Sequence, residues 1–393
     1  MIKSITISEL SVGMYVKSVL KQKGNVRIKS KGLVKTQSTL DVLKAKGILE
    51  LEVDLSKSKL PQQTLGKNNS SESPEQAQML SVHEHQASLV KAEKLYTQAK
   101  YVQQTFLTQL RSGSAPNLFE LNELSQDIIE SVFANSDALS CLLMLKNSND
   151  YLVEHAINCA ILLTIFAKYK GMSESEIEDL TIAGLLMDIG MSSLPSDLLI
   201  KEGQYSEDDS AIMRSHVDIG NELITRLKNV PAIVVDVIQN HHERIDGSGY
   251  PSAKTAPQIS IYSQMASIVD CYDEMISNHK NKSSNSATFA LQQLERDESL
   301  DNDLVKEFIE AIGLHPVGSL VQLESKQLGI VSQRVPKHPM NPFVVVFYNL
   351  ESQSQTEIQY INLSQVDDQI IKGIRPEEFG INLNAFFKQT LIP

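Results

Sequence analysis

The sequence predicts a multidomain, mainly α-helical protein, in which a central all-α bundle lies between a small α/β amino-terminal module and a small β-rich carboxy-terminal appendage. Three observations predict this class. The middle of the chain repeats apolar residues every three or four positions, with helix-capping signals between the repeats. Both ends show the short alternating runs that are typical of strands. A length of 393 residues also exceeds what one hydrophobic core usually holds.

The first 54 residues are predicted to form the α/β module. Residues 11–16 and 48–53 alternate apolar and polar side chains and are expected to be strands. Between them, Ser38 is followed three residues later by an acidic residue, as at a helix start, and Gly47 suits the position just past a helix end. The pattern therefore indicates one helix between two strands.

A linker and a helical connector are expected to follow. Residues 55–85 are rich in Ser, Gln, Asn, Lys and Pro and hold little to bury, so they are predicted to be flexible. Residues 86–149 form the connector, which begins with an amphipathic helix over about 86–111. Its stripe fits two interpretations, a helix packed on the main domain or a parallel homodimer helix; it consists of Leu89, Ala92, Tyr96, Ala99, Val102, Phe106 and Leu110.

Residues 150–313 are predicted to be the helical domain. Ser173 and Ser206 each precede an acidic residue by three positions, which is a capping signal, and Pro231 suits the first turn of another helix. From residue 314 to 393 the pattern changes to a period of two, with expected strands over 319–323, 328–331, 342–348 and 357–361. The carboxy-terminal extension is therefore predicted to be β-rich.

Charge and composition exclude several classes of partner. The net charge of −12 argues against general binding to DNA, RNA or an anionic membrane, because such binding needs a basic face. The first residues do not resemble a signal peptide, and no apolar run reaches the roughly 18 residues that span a bilayer. Three well-separated cysteines suit buried thiols rather than a disulfide framework. We expect a cytoplasmic protein.

Ligand-type side chains interrupt successive apolar helices. Any one of them could be an ordinary hydrogen-bonded histidine or a carboxylate that clamps a loop. Their spacing, about one helix plus one loop, would allow them to meet at one point. Imidazole and carboxylate ligands suit Fe, Mn, Zn or Mg, and a shared carboxylate suits a two-metal hydrolytic centre. The set is His155, Asp188, His216, His241, His242 and Asp270.

A longer motif surrounds the histidine pair. Residues 240–251, Asn-His-His-Glu-Arg-Ile-Asp-Gly-Ser-Gly-Tyr-Pro, resemble the signature of the HD-GYP family, a branch of the HD phosphohydrolase superfamily. Residues 186–190, Leu-Met-Asp-Ile-Gly, agree with the same family. The resemblance covers about residues 150–313. The first 54 residues also resemble a domain of unknown function that often precedes HD-GYP domains, through Leu-Ser-Val-Gly-Met-Tyr-Val at 10–16.

The resemblance implies hydrolysis of cyclic di-GMP, to a linear dinucleotide or GMP, at a centre of two or three divalent ions such as Fe or Mn. Asp188 would be the catalytic, bridging carboxylate. His155 and Asp270 would bind one ion. The other ion would be bound by His216 together with His241 and His242.

The loop after the histidine pair is expected to contact the substrate or a partner, such as a diguanylate cyclase or another signalling protein. Two of its glycines would allow a sharp turn. The residues assigned to the loop contact are Glu243, Arg244, Asp246, Gly247, Gly249, Tyr250 and Pro251.

Several positions depart from the family pattern. Met187 stands where the family has the His of its name, and a thioether is a poor ligand for a hard ion. Met191 replaces a Lys that is thought to meet phosphate, and Tyr151 stands where trinuclear members have Glu. The usual Arg-Pro-Tyr-Arg segment is His-Lys-Asn-Lys at 279–282. One of the two ion sites is therefore expected to be weakened or lost.

Three functions stay open from the sequence. The first is a phosphodiesterase for cyclic di-GMP, slowed by the loss of the motif His and Lys. The second is a catalytically inactive domain that senses cyclic di-GMP or binds another protein. The third is a phosphohydrolase for a different nucleotide, since HD domains act on many substrates.

Overall fold

The computed structural model describes residues 2–7, 10, 13–22, 32–34, 48–54, 74–114, 116–144, 151–201, 203–277, 284–335, 338–379 and 386. The chain divides into two compact units, residues 1–74 and 75–393, which are treated separately below. The helix predicted between Ser38 and Gly47, most of the predicted linker, and the segment at 279–282 lie outside the described residues.

The first unit contains an antiparallel sheet of order β1-β4-β2-β3. Its strands are β1 (Ile2–Thr6), β2 (Tyr15–Gln22), β3 (Gly32–Leu33) and β4 (Ile48–Asp54). Strand β4 confirms the prediction for residues 48–53, and it pairs with both β1 and β2. The buried side chains of this sheet form a small core of their own, made of Ile5, Leu10, Val16, Val34, Leu51 and Val53.

The second unit begins with a helical bundle. Its helices are α1 (Pro74–Arg111), α2 (Phe119–Leu143), α3 (Tyr151–Tyr169), α4 (Glu174–Leu186), α5 (Ser196–Leu199), α6 (Glu207–Arg214), α7 (His216–Ile224), α8 (Ala232–Asn240), α9 (Ile261–Ile276), α10 (Ala287–Arg296) and α11 (Asn302–Ile312). A short 3-10 helix, Ile189–Ser193, follows α4. The capping boxes predicted at Ser173 and Ser206 are present, and Pro231 is the residue that precedes α8.

Helix α1 starts earlier than its sequence suggests. It begins at Pro74, inside the segment 55–85 that was predicted to be a linker, and a proline is well tolerated in a first helical turn. Its apolar stripe is buried in the same core as the bundle, with Val102 partly buried against it. A stripe that is already buried cannot also face a second copy of the chain. The structure thus favours the packed helix over the homodimer helix.

Helix α3 lies at the centre of the bundle. Every residue from Val153 to Ala167 is buried. By length and composition, this is the one helix among the described residues that could span a membrane, but 83% of the relevant window is buried inside the protein. The sequence analysis predicts no apolar run long enough to span a membrane. Gly184 of α4 lets the two helices approach closely, because a Cβ there would lie 2.5 Å from the Cα of Ala160.

The carboxy-terminal extension forms a second antiparallel sheet, of order β8-β7-β6-β5-β9. Its strands are β5 (Leu320–Leu323), β6 (Gln327–Gln333), β7 (Phe343–Asn349), β8 (Ser354–Asn362) and β9 (Ile370–Gly373). The first four confirm the predicted strands, whereas β9 was not predicted. Apolar residues of β5, β6 and β7 belong to the same core as the helices. The predicted fold class, a mainly helical protein with a small sheet at each end, is confirmed.

Arg334, directly after β6, ties this sheet to helix α2. Its backbone N–H donates to Asp137 Oδ2 (2.9 Å), and its Nε donates to Asp137 Oδ1 (2.7 Å). Its Nη2 donates to the hydroxyl of Ser136 (2.7 Å). Asp137 follows a kink in α2 at Asn135, where φ is −162° and ψ is 94°. The kink places the carboxylate where the arginine can reach it.

We predict that Arg334→Met lowers the free energy of unfolding by about 1 to 3 kcal/mol, because the buried Asp137 would lose its charged donor, Arg334 Nε. Urea denaturation measures the change. Lys372→Met is the control, since Lys372 is half-exposed and its Nζ lies 3.5 Å from Glu378. The control should stay within about 0.5 kcal/mol of the wild type. An equal loss of unfolding free energy in the two variants would contradict a stabilising role for the contact between Arg334 and Asp137.

Candidate metal centre

Helix ends and helix starts bring the predicted ligands to one place. His155 lies in the second turn of α3, and Asp188 follows the end of α4. His216 begins α7, while His241 and its neighbour His242 follow the last residue of α8. Asp270 comes from the middle of α9. All six side chains fall into groups whose ligand atoms lie within 4.8 Å of one another.

The first group joins Asp188 to three imidazoles. Asp188 Oδ1 lies 3.3 Å from His216 Nε2 and 3.7 Å from His241 Nε2. The Nε2 atoms of His216 and His242 face each other at 3.2 Å. Three ring nitrogens and one carboxylate oxygen make a four-ligand set of the kind that binds borderline divalent ions.

Backbone carbonyls orient two of these rings. The Nδ1 of His216 lies 2.7 Å from the carbonyl oxygen of Met213, and that of His241 lies 3.0 Å from Val237 O. A carbonyl oxygen can only accept, so Nδ1 carries the proton and the lone pair of Nε2 points into the group. Among the described residues, the buried His241 Nε2 has no hydrogen-bond partner. An unpaired buried nitrogen is costly, and a cation would satisfy it.

The second group contains His155, Asp188 and Asp270. His155 Nε2 lies 3.1 Å from Asp188 Oδ2 and 3.1 Å from Asp270 Oδ1. Asp188 thus directs one carboxylate oxygen to each group. Two adjoining groups that share a carboxylate have the arrangement of a two-ion site.

Asp273 belongs to the site, although the sequence analysis assigns it no role. Its Oδ2 lies 2.8 Å from His155 Nδ1, and it is fully buried. Cys159 Sγ lies 3.6 Å from His155 Nε2, so these three residues form a further group of ligand-type atoms. The signal available in the sequence was the spacing of three between Asp270 and Asp273, which places both on one face of a helix.

The pKa values of the ionisable side chains in the centre are shifted in different directions. Burial raises the pKa of Asp188, but the imidazoles around it outweigh that effect and hold the pKa well below its usual value. Burial, and then the like charges of His241 and His216, hold the pKa of His242 well below its usual value. Burial lowers the pKa of His155, yet Cys159 and Tyr151, followed by the hydrogen bonds to Asp188 and Asp270, bring that pKa well above the usual value. His242 is therefore neutral and Asp188 ionised at neutral pH.

The methionines that replace family residues are held away from solvent. Met187 ends α4 and is buried among the apolar residues of the core, while Met191 is half-buried in the 3-10 helix. The ring of Tyr151 stacks on that of His155, with centroids 5.4 Å apart. Among the described residues, the second group therefore has one imidazole, compared with three in the first.

Several residues of the predicted contact loop hold the loop itself. Glu243 accepts hydrogen bonds from the backbone N–H groups of Ser252 (2.7 Å) and Lys254 (2.9 Å). Asp246 accepts one from the N–H of Ser248 (2.9 Å). Arg244 donates to the carbonyl oxygens of His241 and Glu243 and to the hydroxyl of Ser267. Glu243 is buried, Arg244 is half-buried and Asp246 is exposed, and all three side chains form hydrogen bonds within the protein.

Tyr250 is the loop residue that faces the histidines. Its ring stacks on His242, with centroids 4.6 Å apart, and meets the ring of His216 edge-on at 6.5 Å. The peptide bond from Tyr250 to Pro251 is cis. The guanidinium carbon of Arg214 lies 5.1 Å from the centroid of the Tyr250 ring. Arg214, which the sequence reading also missed, adds an exposed positive charge beside the centre.

Two segments of the chain match known families. Residues 140–304 match the family described as HD domain, and residues 2–121 match one described as a domain of unknown function, DUF3391. The helical domain is therefore of the HD type. The HD match contains every ligand of both groups, and the two matches confirm the predicted family resemblance. The DUF3391 match runs past residue 54 and includes helix α1.

Curated relatives of this HD-domain protein are phosphodiesterases by name. A cyclic di-GMP phosphodiesterase of Pseudomonas aeruginosa is 29% identical over 392 residues, 96% of this chain and 93% of that protein. A 3'3'-cGAMP-specific phosphodiesterase of Vibrio cholerae is 27% identical over 159 residues, 40% of this chain and 29% of that protein. A solved HDG"Y"P protein from Bdellovibrio bacteriovorus has a TM-score of 0.47 at 15% identity, covering 79% of this chain and 99% of that one.

We predict that Gly249→Ala weakens metal binding. A Cβ at this position would lie 2.5 Å from the Cα of Glu243 and 2.5 Å from the carbonyl oxygen of His242. Both are backbone atoms, so relief requires the segment that carries His242 to move. Titration of metal-free protein with Mn²⁺ should show a loss of affinity of about tenfold or more. Ser248→Ala, at the exposed neighbouring position, should bind as the wild type does. An unchanged affinity in Gly249→Ala would contradict the prediction.

Proposed function

We propose that this HD-domain protein is a metal-dependent phosphodiesterase that hydrolyses cyclic di-GMP to the linear dinucleotide or GMP. The observation that supports this best is the convergence of Asp188 with the imidazoles of separate helices, in which the buried His241 Nε2 is left facing the group. The similarity to the Pseudomonas enzyme over 96% of the chain supports the choice of substrate.

The two ligand groups support two ion sites of unequal strength. Asp188, His216, His241 and His242 would bind one divalent ion tightly, because four ligand atoms are already gathered. The group of His155, Asp188 and Asp270 would bind a second ion, Fe, Mn or similar, more weakly, because Met187 supplies no imidazole. Divalent ions at such a centre supply Lewis acidity toward the phosphodiester and lower the pKa of water.

The chain's own residues would orient the substrate and shape its surroundings. Asp188 would be the catalytic carboxylate, since it contributes one oxygen to each group. The guanidinium of Arg214, which lies over the Tyr250 ring beside the histidines, offers a charge for phosphate. That charge would in part replace the Lys that is absent at Met191.

A second candidate is a catalytically inactive sensor or interaction module. Met187 and Met191 favour it, because an ion ligand and a phosphate contact are missing together. In this case cyclic di-GMP would bind beside Tyr250 without being cleaved, or a diguanylate cyclase or another signalling protein would dock on the loop at Tyr250 and Pro251. Both candidates would act in the cytoplasm, where cyclic dinucleotides are made and degraded.

We predict that the wild type converts cyclic di-GMP to a linear product and that Asp188→Asn does not. The substitution removes the charge that both ligand groups share, so the rate should fall at least about 100-fold. Chromatography of the products measures it, with 3'3'-cGAMP as a parallel substrate. Asp179→Asn, a change outside the centre, is the control. Binding of cyclic di-GMP without any product from the wild type would contradict the enzyme and support the sensor.

We further predict that Met187→His combined with Met191→Lys raises both the number of tightly bound ions, from one to two, and the rate, by about tenfold or more. The first change restores an imidazole beside Asp188, and the second restores a positive charge for phosphate. Elemental analysis after dialysis counts the ions. Met172→His, in the turn before α4, adds an imidazole away from the centre and should change neither quantity. A double variant with the wild-type number of bound ions and the wild-type rate would contradict the view that Met187 and Met191 weaken the centre.

A further inference from the structure

A buried chain of hydrogen bonds leads from helix α1 to the ring of His155. The hydroxyl of Tyr96 donates to Asn158 Oδ1 (2.9 Å). The Nδ2 of Asn158 donates to Asp273 Oδ1 (3.0 Å), and Asp273 Oδ2 lies 2.8 Å from His155 Nδ1. All four side chains are buried. This series of hydrogen bonds therefore connects helix α1, which lies outside the centre, to His155, which is one of the proposed ion ligands. It does not pass through solvent.

The last link acts on the side of His155 that faces away from the ions. Asp273 accepts the Nδ1–H, which leaves Nε2 directed at Asp188 and Asp270, each 3.1 Å away. A carboxylate behind a ligating imidazole fixes the tautomer and the ring orientation and makes the other nitrogen more basic. The amide of Asn158 in turn holds the carboxylate of Asp273. The Tyr96 hydroxyl donates a hydrogen bond to the amide oxygen of Asn158, and this bond prevents the amide from rotating.

Helix α1 contacts α3 in a matched register. Tyr96 and Lys100 are four residues apart on α1, and their partners Asn158 and Glu154 are four residues apart on α3, in the opposite order. Lys100 Nζ lies 2.7 Å from Glu154 Oε1, in the position next to His155. One turn of each helix thus forms a two-point contact between antiparallel helices. A shift of α1 along its axis would break both points together.

A third contact reaches the other side of the centre. The Nε2 of Gln103 donates to the carbonyl oxygen of Leu185 (2.7 Å), in the last turn of α4 and three residues before Asp188. Helix α1 therefore touches the helix that carries His155 and the segment that leads to Asp188. Along the chain, α1 follows the amino-terminal unit, and the DUF3391 match includes it.

We infer that Tyr96 and Asn158 are positioning residues, which hold His155 in the orientation that the weaker ion site needs and so let helix α1 set the affinity of that site. The inference rests on the proposed metal centre, and it adds a route by which helix α1 tunes that centre. Loss of the Tyr96 hydroxyl frees the Asn158 amide, Asp273 loses a fixed donor, and the ring of His155 gains freedom. The tighter site, which does not use His155, is unaffected.

The test is a calorimetric titration of the metal-free, full-length protein with Mn²⁺. Tyr96→Phe removes the hydroxyl and keeps the ring, and it should weaken the second ion by about 3- to 10-fold. Asn158→Leu removes the direct donor to Asp273 and should weaken it by about 10- to 100-fold. The first ion should keep its affinity in both variants. An unchanged second ion in both variants would overturn the inference.

Thr164→Val is the matched control for loss of a buried polar group. Thr164 also lies on α3, is fully buried, and bonds with Thr181 (2.7 Å) and with the carbonyl oxygen of Ala160 (2.6 Å). The control should lower stability to urea about as much as Tyr96→Phe does and leave both ion affinities at wild-type values. An equal loss of ion affinity in Thr164→Val would show that Tyr96 acts only through stability, which contradicts positioning.

A double-variant cycle shows whether the effect passes through Asp273. In an Asp273→Asn background, Tyr96→Phe should cause no further loss of Mn²⁺ affinity, because the link to His155 is already broken. A full additional loss would overturn the route. These titrations need no turnover. A wild type that binds two ions and hydrolyses no cyclic dinucleotide would end the proposed function but leave the positioning role standing, whereas a wild type that binds no ion would end both.

Discussion

The carboxylate of Asp188, with imidazoles on both of its oxygens, is the interaction on which the rest of the structure depends. A buried carboxylate is costly unless charged or hydrogen-bonding partners surround it. Its partners come from α3, from the start of α7 and from the end of α8, so these elements must meet at one point. Close backbone approach makes this geometry available, because any side chain larger than hydrogen at Gly190 would collide with the carbonyl oxygen of His216. The packing of α3, α7 and α8 is therefore tied to the geometry of the centre.

Most of the fold and the ligand set could be predicted from local rules. Apolar periodicity and capping residues give the helices, and the costly placement of His and Asp residues inside them marks the centre. The rest depends on tertiary contacts that a sequence does not display. Helix α1 begins within a polar segment that resembles a linker, and β9 is a strand of only four residues. The spacing places Asp273 on the same helix face as Asp270, but its contact with His155 and the inward turn of Arg244 to backbone carbonyls are tertiary contacts.

The two halves of the centre differ in a way that bears on function. Three imidazoles stand with Asp188 on one side, and two of them direct their Nδ1 protons at backbone carbonyls, whereas a single imidazole surrounded by carboxylates stands on the other side. In the proposed function, Met187 in place of the motif His would weaken one half without disturbing the other. The half with the single imidazole is also the one that hydrogen bonds join to α1, which follows the amino-terminal module in the chain. A site of marginal affinity is sensitive to small changes in ligand orientation, so the loss of the motif His would make control through α1 more effective.

The central claim is that these side chains form a cation-binding centre, and crystals grown with Mn²⁺ test it most directly. Anomalous difference density should show a strong peak within coordination distance of Asp188, His216, His241 and His242. A weaker peak should appear beside His155, on the opposite side of Asp188. An absence of anomalous density between Asp188 and the three histidines, at millimolar Mn²⁺ and neutral pH, would contradict the account.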